Sequence, residues 1–216
     1  MKTIIKSSAI FLLLLFCLPI VGMGQKKGKE RMVEIVTNLG SIKIKLYNET
    51  PLHRDNFINL AETGAMNGSI FHRVIKGFMI QGGGSPGTNG SGSIGSTITA
   101  EIEPIFYHKK GALSAARMGD AQNPDRKSSG SQFYIVHGKK FTDSDLDMME
   151  KRANTKYTEE QRRSYKTIGG SPHLDGAYTV FGEVVEGMDI VDKIAAVQVR
   201  GSFPIEPISI ELKIIK

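Results

Sequence analysis

Hydrophobic and polar positions alternate over 32–38 and 41–47: Val33, Ile35, Ile42, Ile44 and Leu46 are apolar, whereas Glu34, Lys43 and Lys45 are charged. Period-two alternation puts one face in a core and the other in water, so the pair reads as a hairpin of half-buried strands turning at Asn38-Leu39-Gly40. The rhythm then changes. Thr50 can cap a helix, Pro51 suits its first turn, and Phe57, Leu60 and Ala61 recur at helical spacing before Gly64, which predicts a helix over 51–63. From 69 to 81 the pattern is strand-like again, broken at Gly77, and 82–95 is a long loop rich in Gly and Ser. Short strands are predicted at 98–101, 112–116, 132–137, 178–184 and 208–215, with a second amphipathic helix at 188–196. Many short strands and only two core-facing helices predict a mainly β fold closed into a barrel.

One stretch breaks this rhythm. Residues 139–170 carry eight basic and six acidic side chains and few large apolar ones, and they read as a helical surface insertion that the core does not need. Helices are predicted at 143–152 and 159–166, the second opened by the capping-box spacing Thr158 to Gln161. Arg162, Arg163 and Lys166 sit beside Glu159 and Glu160, which favours a solvated charged face over a nucleic-acid contact.

Composition alters the picture first at the N-terminus. Lys2 and Lys6 precede an apolar run over 9–21, with Gly22 and Gly24 at small-residue positions, the layout of a secretory signal peptide cut after Gly24. The run contains Pro19 and falls short of the roughly 20 apolar residues a spanning helix needs, so stable membrane insertion is not expected. Lipidation at Cys17 is disfavoured by the bulky Leu15 and Phe16 before it. The predicted organisation is a signal peptide over 1–24 and one domain over 25–216, exported to the periplasm or the medium, with 25–30 as a polar lead-in. With 216 residues, 40% hydrophobic and 23% charged, the chain can bury a real core. Its formal charge of +6 falls to +4 without Lys2 and Lys6, 26 basic groups against 22 acidic, which calls for no nucleic-acid partner. Cys17 is the only cysteine, so a disulfide framework and a Cys-based zinc site are excluded.

Several motifs fail on inspection. Gly82-x-Gly84-x-x-Gly87 and Gly90-x-Gly92-x-x-Gly95 match a dinucleotide fingerprint, but Pro86, Asn89 and the repeated Gly forbid the helix a phosphate would need behind them. Ser171, His173 and Asp175 are hydrolase letters without a nucleophile elbow. The five histidines never come at ligand spacing, so no metal is expected. Asn48, Asn67 and Asn89 head formal glycosylation sequons. The segment 71–83 is different. In a strand, Phe71, Arg73 and Ile75 share a face, and Met79 and Gln81 join them after Gly77. A buried arginine is rarely tolerated alone, so Arg73 is expected to border a half-open apolar pocket, steadied by Gln81.

Residues 71–83 closely resemble the signature of the cyclophilin family of peptidyl-prolyl cis-trans isomerases. Further blocks follow in the family's order: 113–118, reading Leu-Ser-Ala-Ala-Arg-Met; 130–135, reading Gly-Ser-Gln-Phe-Tyr-Ile; then Leu174-Asp175-Gly176 with Val180-Phe181-Gly182. The resemblance runs from Val33 to the C-terminus apart from the insertion. It implies an eight-stranded antiparallel barrel capped by two helices, working as a monomer on proline-containing polypeptides with no cofactor. It further implies that Arg73 donates to the prolyl nitrogen, with Gln81 and Gln132 fixing the guanidinium and His72 in support. Phe78, Met79, Tyr134 and Leu174 would hold the proline ring, and the backbone at Ala116, Arg117 and Met118 the chain before it. Ile75, His173 and Tyr178 complete the implied site. The sequence departs from the family at Met66, Lys76 and Gly84 around the site, and within it at Tyr134, often Phe, His173, Trp in many animal members, and Tyr178, often His. A barrel that only binds proline segments is the rival reading, but it could dispense with Arg73, Gln81 and Gln132, and all three are present.

Overall fold

The computed structural model describes residues 31–215; the predicted signal peptide, Cys17 and the lead-in over 25–30 lie outside the described residues. Arg31–Thr37 (β1) and Gly40–Leu46 (β2) form the expected hairpin, pairing Val33 with Ile44 and Ile35 with Ile42, all four fully buried. Helix α1 (Pro51–Thr63) is followed by β3 (Ser69–Ile75), β4 (Met79–Gly83), β5 (Ala112–Ala115) and β6 (Gln132–Val136). Then come α2 (Asp143–Ala153), α3 (Glu159–Thr167), β7 (Val180–Glu186), α4 (Met188–Ala195), a ribbon of β8 (Val199–Arg200) with β9 (Phe203–Pro204), and β10 (Ser209–Ile215). The order β1-β10-β3-β4-β6-β5-β7-β2 closes an eight-stranded barrel with every pair antiparallel. Closure removes the unpaired edges an open sheet would expose.

The barrel is filled, not hollow. Phe71, Ile80, Leu113, Phe133, Ile135 and Leu212 meet in one buried cluster, to which α1 adds Phe57 and Leu60 and α4 adds Val191 and Ile194. Phe133 takes Phe57 and Phe71 edge-on, with ring centroids 5.4 and 5.9 Å away, the geometry the aromatic quadrupole favours. Inner and outer faces alternate along β4 and β6, so Ile80 and Phe133 point in while Met79, Gln81 and Tyr134 point out. The outward set forms a second cluster of Met79, Ala116, Tyr134, Val136, Leu174 and Val180 on the barrel's flank. Among the described residues no helix is long and apolar enough to cross a membrane.

Four expectations are corrected. The predicted strand at 98–101 is absent: Ile98 makes a single bridge to Ser128, and the chain then leaves the sheet. Glu101 explains the departure, because its carboxylate accepts from the backbone N–H groups of Leu52 and His53, both at 3.0 Å. Thr50 makes no capping bond to α1, so a distant acid does the work assigned to it. Phe71 and Arg73 do not share a face either. The β3–β4 register shifts between them, and this bulge leaves Phe71 and Val74 inside the barrel while Arg73 and Ile75 turn outward.

The fourth correction concerns the insertion. Helices α2 and α3 each open with a complete capping box, Thr142 with Asp145 and Thr158 with Gln161. Glu159, Glu160, Arg163 and Lys166 are exposed, as expected of a solvated face, but Arg162 is only partly so: it bonds Asp143 at 3.0 Å, Asp147 at 2.9 Å and Glu150 at 3.3 Å, tying the two helices together. Beneath them Leu146 and Tyr165 are fully buried, with Tyr107, Phe141 and Tyr157 around the Tyr165 ring. The insertion is a small folded unit whose core it shares with Tyr107, from the segment before β5.

Candidate active site

The outward bulge at β3 sets Arg73 beside Met79 and Gln81 of β4, its antiparallel neighbour. One guanidinium N–H donates to Gln81 Oε1 at 3.2 Å, and another contact reaches Met79 Sδ at 3.9 Å. The next links are oriented by what they must satisfy. Gln132 Nε2 donates to the carbonyls of Gly90 and Gly92, both at 3.0 Å, which leaves its Oε1 to accept from Gln81 Nε2 at 3.2 Å. Gln81 therefore offers its own oxygen to Arg73. The chain of amides runs one way, from the guanidinium to the glycine loop. Among the described residues no carboxylate pairs with Arg73, so its charge is held in place without being neutralised.

Beside this guanidinium lies a hollow of about 100 Å³. Phe78, Met79, Tyr134 and Leu174 supply apolar walls, and Ala116, Arg117 and Tyr178 close the far side. The Arg73 guanidinium sits 5.9 Å from the Phe78 ring centre. Arg117 acts as a strut: its Nε donates to the Ala177 carbonyl at 3.0 Å, and its guanidinium lies 4.5 Å over the Tyr178 ring. Asp120 accepts from Arg117 at 2.6 Å, a bond that holds the Asp120 carboxyl below the usual carboxylate range.

Behind the Tyr134 wall a polar chain leads away from the cavity. The Tyr134 hydroxyl is 3.0 Å from His108 Nε2, and His108 Nδ1 is 2.8 Å from Asp175 Oδ1. The His108 backbone N–H donates to that same oxygen at 2.9 Å, and the Tyr165 hydroxyl of α3 donates to Asp175 Oδ2 at 2.5 Å. Burial pushes the Tyr134 phenol well above its ordinary pKa, and it pushes Tyr165 up as well, so both remain protonated donors.

Every side chain lining the small hollow belongs to the set expected from sequence, and the remaining five members of that set fall around it. Gln132 stands behind Gln81. Ile75 packs against the outer cluster. Met118 is exposed and lines a neighbouring hollow of about 450 Å³ with Arg117 and Gln132. His173 lies against Phe78 at 5.3 Å between ring centres and opens instead onto a hollow of about 730 Å³ between the insertion and 102–106. His72 does not reach the cavity. It packs under Gly90, where a Cβ would fall on the imidazole ring and where φ is +80°, so only glycine fits. Burial lowers the His72 pKa, which suits a packing role. The Ala116 backbone N–H is committed to the Gln132 carbonyl, and its C=O already accepts from Ser129, which leaves it one lone pair. Sequence reasoning missed the Gly90 and Gly92 carbonyls, His108, Asp175 and Tyr165; the one available signal was a phenol, Tyr134, placed on an apolar wall and needing a partner.

Comparison with known proteins points to one family. The family model described as "Cyclophilin type peptidyl-prolyl cis-trans isomerase/CLD" matches residues 32–213. A peptidyl-prolyl cis-trans isomerase of Acinetobacter baylyi is 36% identical over 167 residues, covering 77% of this chain and 72% of its own length. One from Arabidopsis thaliana is 35% identical over 164 residues, covering 74% and 79%. The crystal structure of a cyclophilin-type isomerase from Cryptosporidium parvum superposes with a TM-score of 0.66 at 28% identity, covering 87% of this chain and 98% of that one. The same protein crystallised in the presence of the dipeptide Ala-Pro gives a TM-score of 0.64 at 28% identity, covering 86% and 99%.

Proposed function

The chain belongs to the cyclophilin-type peptidyl-prolyl cis-trans isomerase family, and from that premise we propose that it turns Xaa-Pro bonds of exported polypeptides at the Arg73 hollow, assisting their folding. The observation that carries the site assignment is the guanidinium that has no acid partner among the described residues, oriented by Gln81 and Gln132 against a small apolar cavity. Rotation about the bond before proline must break amide resonance, at a barrier of about 18–20 kcal/mol. In the twisted state the prolyl nitrogen regains a lone pair that the planar states lack. A donor that engages this lone pair binds the transition state more tightly than either ground state, which is the condition for catalysis. Arg73 is that donor. Phe78, Met79 and Leu174, with the Tyr134 ring, hold the proline ring, and Arg117 offers the first free backbone after Ala116 to the residues before it.

The required gain is modest: replacing tens of seconds by milliseconds is about 10⁴-fold, or roughly 5.5 kcal/mol. No nucleophile or proton transfer is required. Export is supported by Lys2, Lys6, the apolar run over 9–21 and the glycines at 22 and 24. The test is peptide isomerisation with purified residues 25–216. Relaxation faster than the uncatalysed rate is expected, and an unchanged rate would leave a binding-only barrel. Sequencing the N-terminus of protein recovered from the producing cells should read from Gln25, and an intact Met1 would overturn export by cleavage.

A further inference from the structure

The helical insertion reaches the candidate site through two phenols: Tyr157 donates to the Pro172 carbonyl at 3.2 Å, and Tyr165 to Asp175. Tyr165 is fully buried, and its ring packs among Tyr107, Phe141 and Tyr157, yet its hydroxyl leaves that cluster to bond Asp175. Asp175 follows the short turn Pro172–Leu174 that presents Leu174 to the cavity. Its two oxygens face opposite ways, Oδ2 toward Tyr165 and Oδ1 toward both the backbone and the ring of His108. The imidazole then has one nitrogen left, and that nitrogen faces the Tyr134 hydroxyl.

We propose that Tyr165 is a positioning residue for the proline pocket, acting through Asp175 and His108 to hold the Tyr134 hydroxyl away from the cavity. The proposal rests on the isomerase reading of this site. Its logic is one of donor counting. With Asp175 accepting from Nδ1–H, Nε2 is an acceptor, and the Tyr134 O–H must donate to it. Tyr134 lies directly across from Ser114 on β5 and from Gln81 on β4, so a phenol released from His108 would be left between the buried, unbonded Ser114 Oγ and the Gln81 amide. That amide is the link that orients Arg73. A hydroxyl that turned toward Gln81 would compete for the group that aims the guanidinium and would also put a polar atom against the proline ring. A phenylalanine at 134 would need no such relay, which ties the insertion to the phenol in this chain.

The test is a double-mutant cycle of Tyr165→Phe and Tyr134→Phe, read by steady-state isomerisation of a short Xaa-Pro peptide. Tyr165→Phe keeps the ring and its packing and removes only the hydroxyl. It is expected to raise KM about 3- to 10-fold with a smaller change in kcat, the range of one lost hydrogen bond in a coupled network. In the Tyr134→Phe background the same change should shift KM less than about 2-fold, since no hydroxyl remains to be held. Equal effects in both backgrounds would overturn the relay and assign Tyr165 to the Leu174 turn. A fall in kcat at constant KM would mean loss of active protein, a structural role, and would also overturn it. The wild-type protein supplies a second reading that no folding defect can obscure. ¹⁵N spectra of His108 should show hydrogen on Nδ1 and a bare, hydrogen-bonded Nε2, and the opposite tautomer would refute the proposal. Because wild-type turnover is measured in the same series, failure of the cycle is distinguishable from failure of the isomerase reading.

Discussion

At the scale of single residues, Arg73 carries most of the expected chemistry. Arg73→Ala should lower kcat/KM for a peptide about 100-fold or more, comparable to removing one preorganised donor from a developing charge, and leave thermal unfolding nearly unchanged because the side chain is only partly buried. Arg73→Lys should recover little, since an ammonium offers no fork to bond Gln81 and a substrate together. Isomerisation and unfolding measured on the same preparations decide this; retained activity in the alanine variant would remove Arg73 from the mechanism. Arg73 and Gln81 were legible because an arginine and an amide interrupt an otherwise apolar strand. Their true register was not. Counting by twos puts Phe71 beside Arg73, and the bulge that separates them leaves no mark in residue type. Asp175 and His108 are 67 positions apart, and Glu101 and His53 are 48 apart, so no local pattern could pair them.

Elements depend on such distant partners for their ends. The N-terminus of α1 has no side-chain bond from Thr50, and Glu101 supplies acceptors for Leu52, His53 and the buried His53 Nδ1, the last at 2.7 Å. Glu101→Ala leaves these donors unmet and should cost about 2 kcal/mol, a fall in Tm of several degrees in calorimetry. Glu101→Gln keeps one acceptor oxygen and should fall between the two; a Tm equal to wild type in both variants would mean that water replaces the carboxylate. Thr158→Ala breaks a capping box and should cost about 1 kcal/mol of local stability at α3, visible as faster amide exchange there. The α3 cap was readable because it is written in four consecutive positions. The α1 cap lies across the fold.

For the whole molecule, two cores and one neck decide what can be removed and what acid will do. Burial lowers the pKa of His53, His72, His137 and His173, so their stabilising share is complete above the unfolded value near 6.5 and shrinks as pH falls below it. Asp120 and Asp143 are held low by hydrogen bonds from Arg117 and from Lys166 with Arg162, and their share is lost further down, as pH drops below about 4. Tm should therefore decline in two stages from pH 8 to 3, and a flat curve between 8 and 5 would count against neutral buried histidines. The barrel cluster and the cluster under α2 and α3 share no residue. Lys139 and Gly170 pair in both directions at the neck, by N–H to C=O bonds of 3.3 and 3.0 Å, so residues 140–168 can be replaced by a short Gly-Ser loop without opening the barrel. The replacement should fold. It also removes Tyr165 and uncovers Tyr107, His108 and Asp175, so it should unfold at lower temperature and show a KM raised at least as far as in Tyr165→Phe. Measured side by side with wild type on one peptide, a shortened protein with native KM would detach the insertion from the site, and one that fails to fold would show that the barrel depends on α3, which it meets through Tyr165 with Asp175 and through Ser164 with Tyr107.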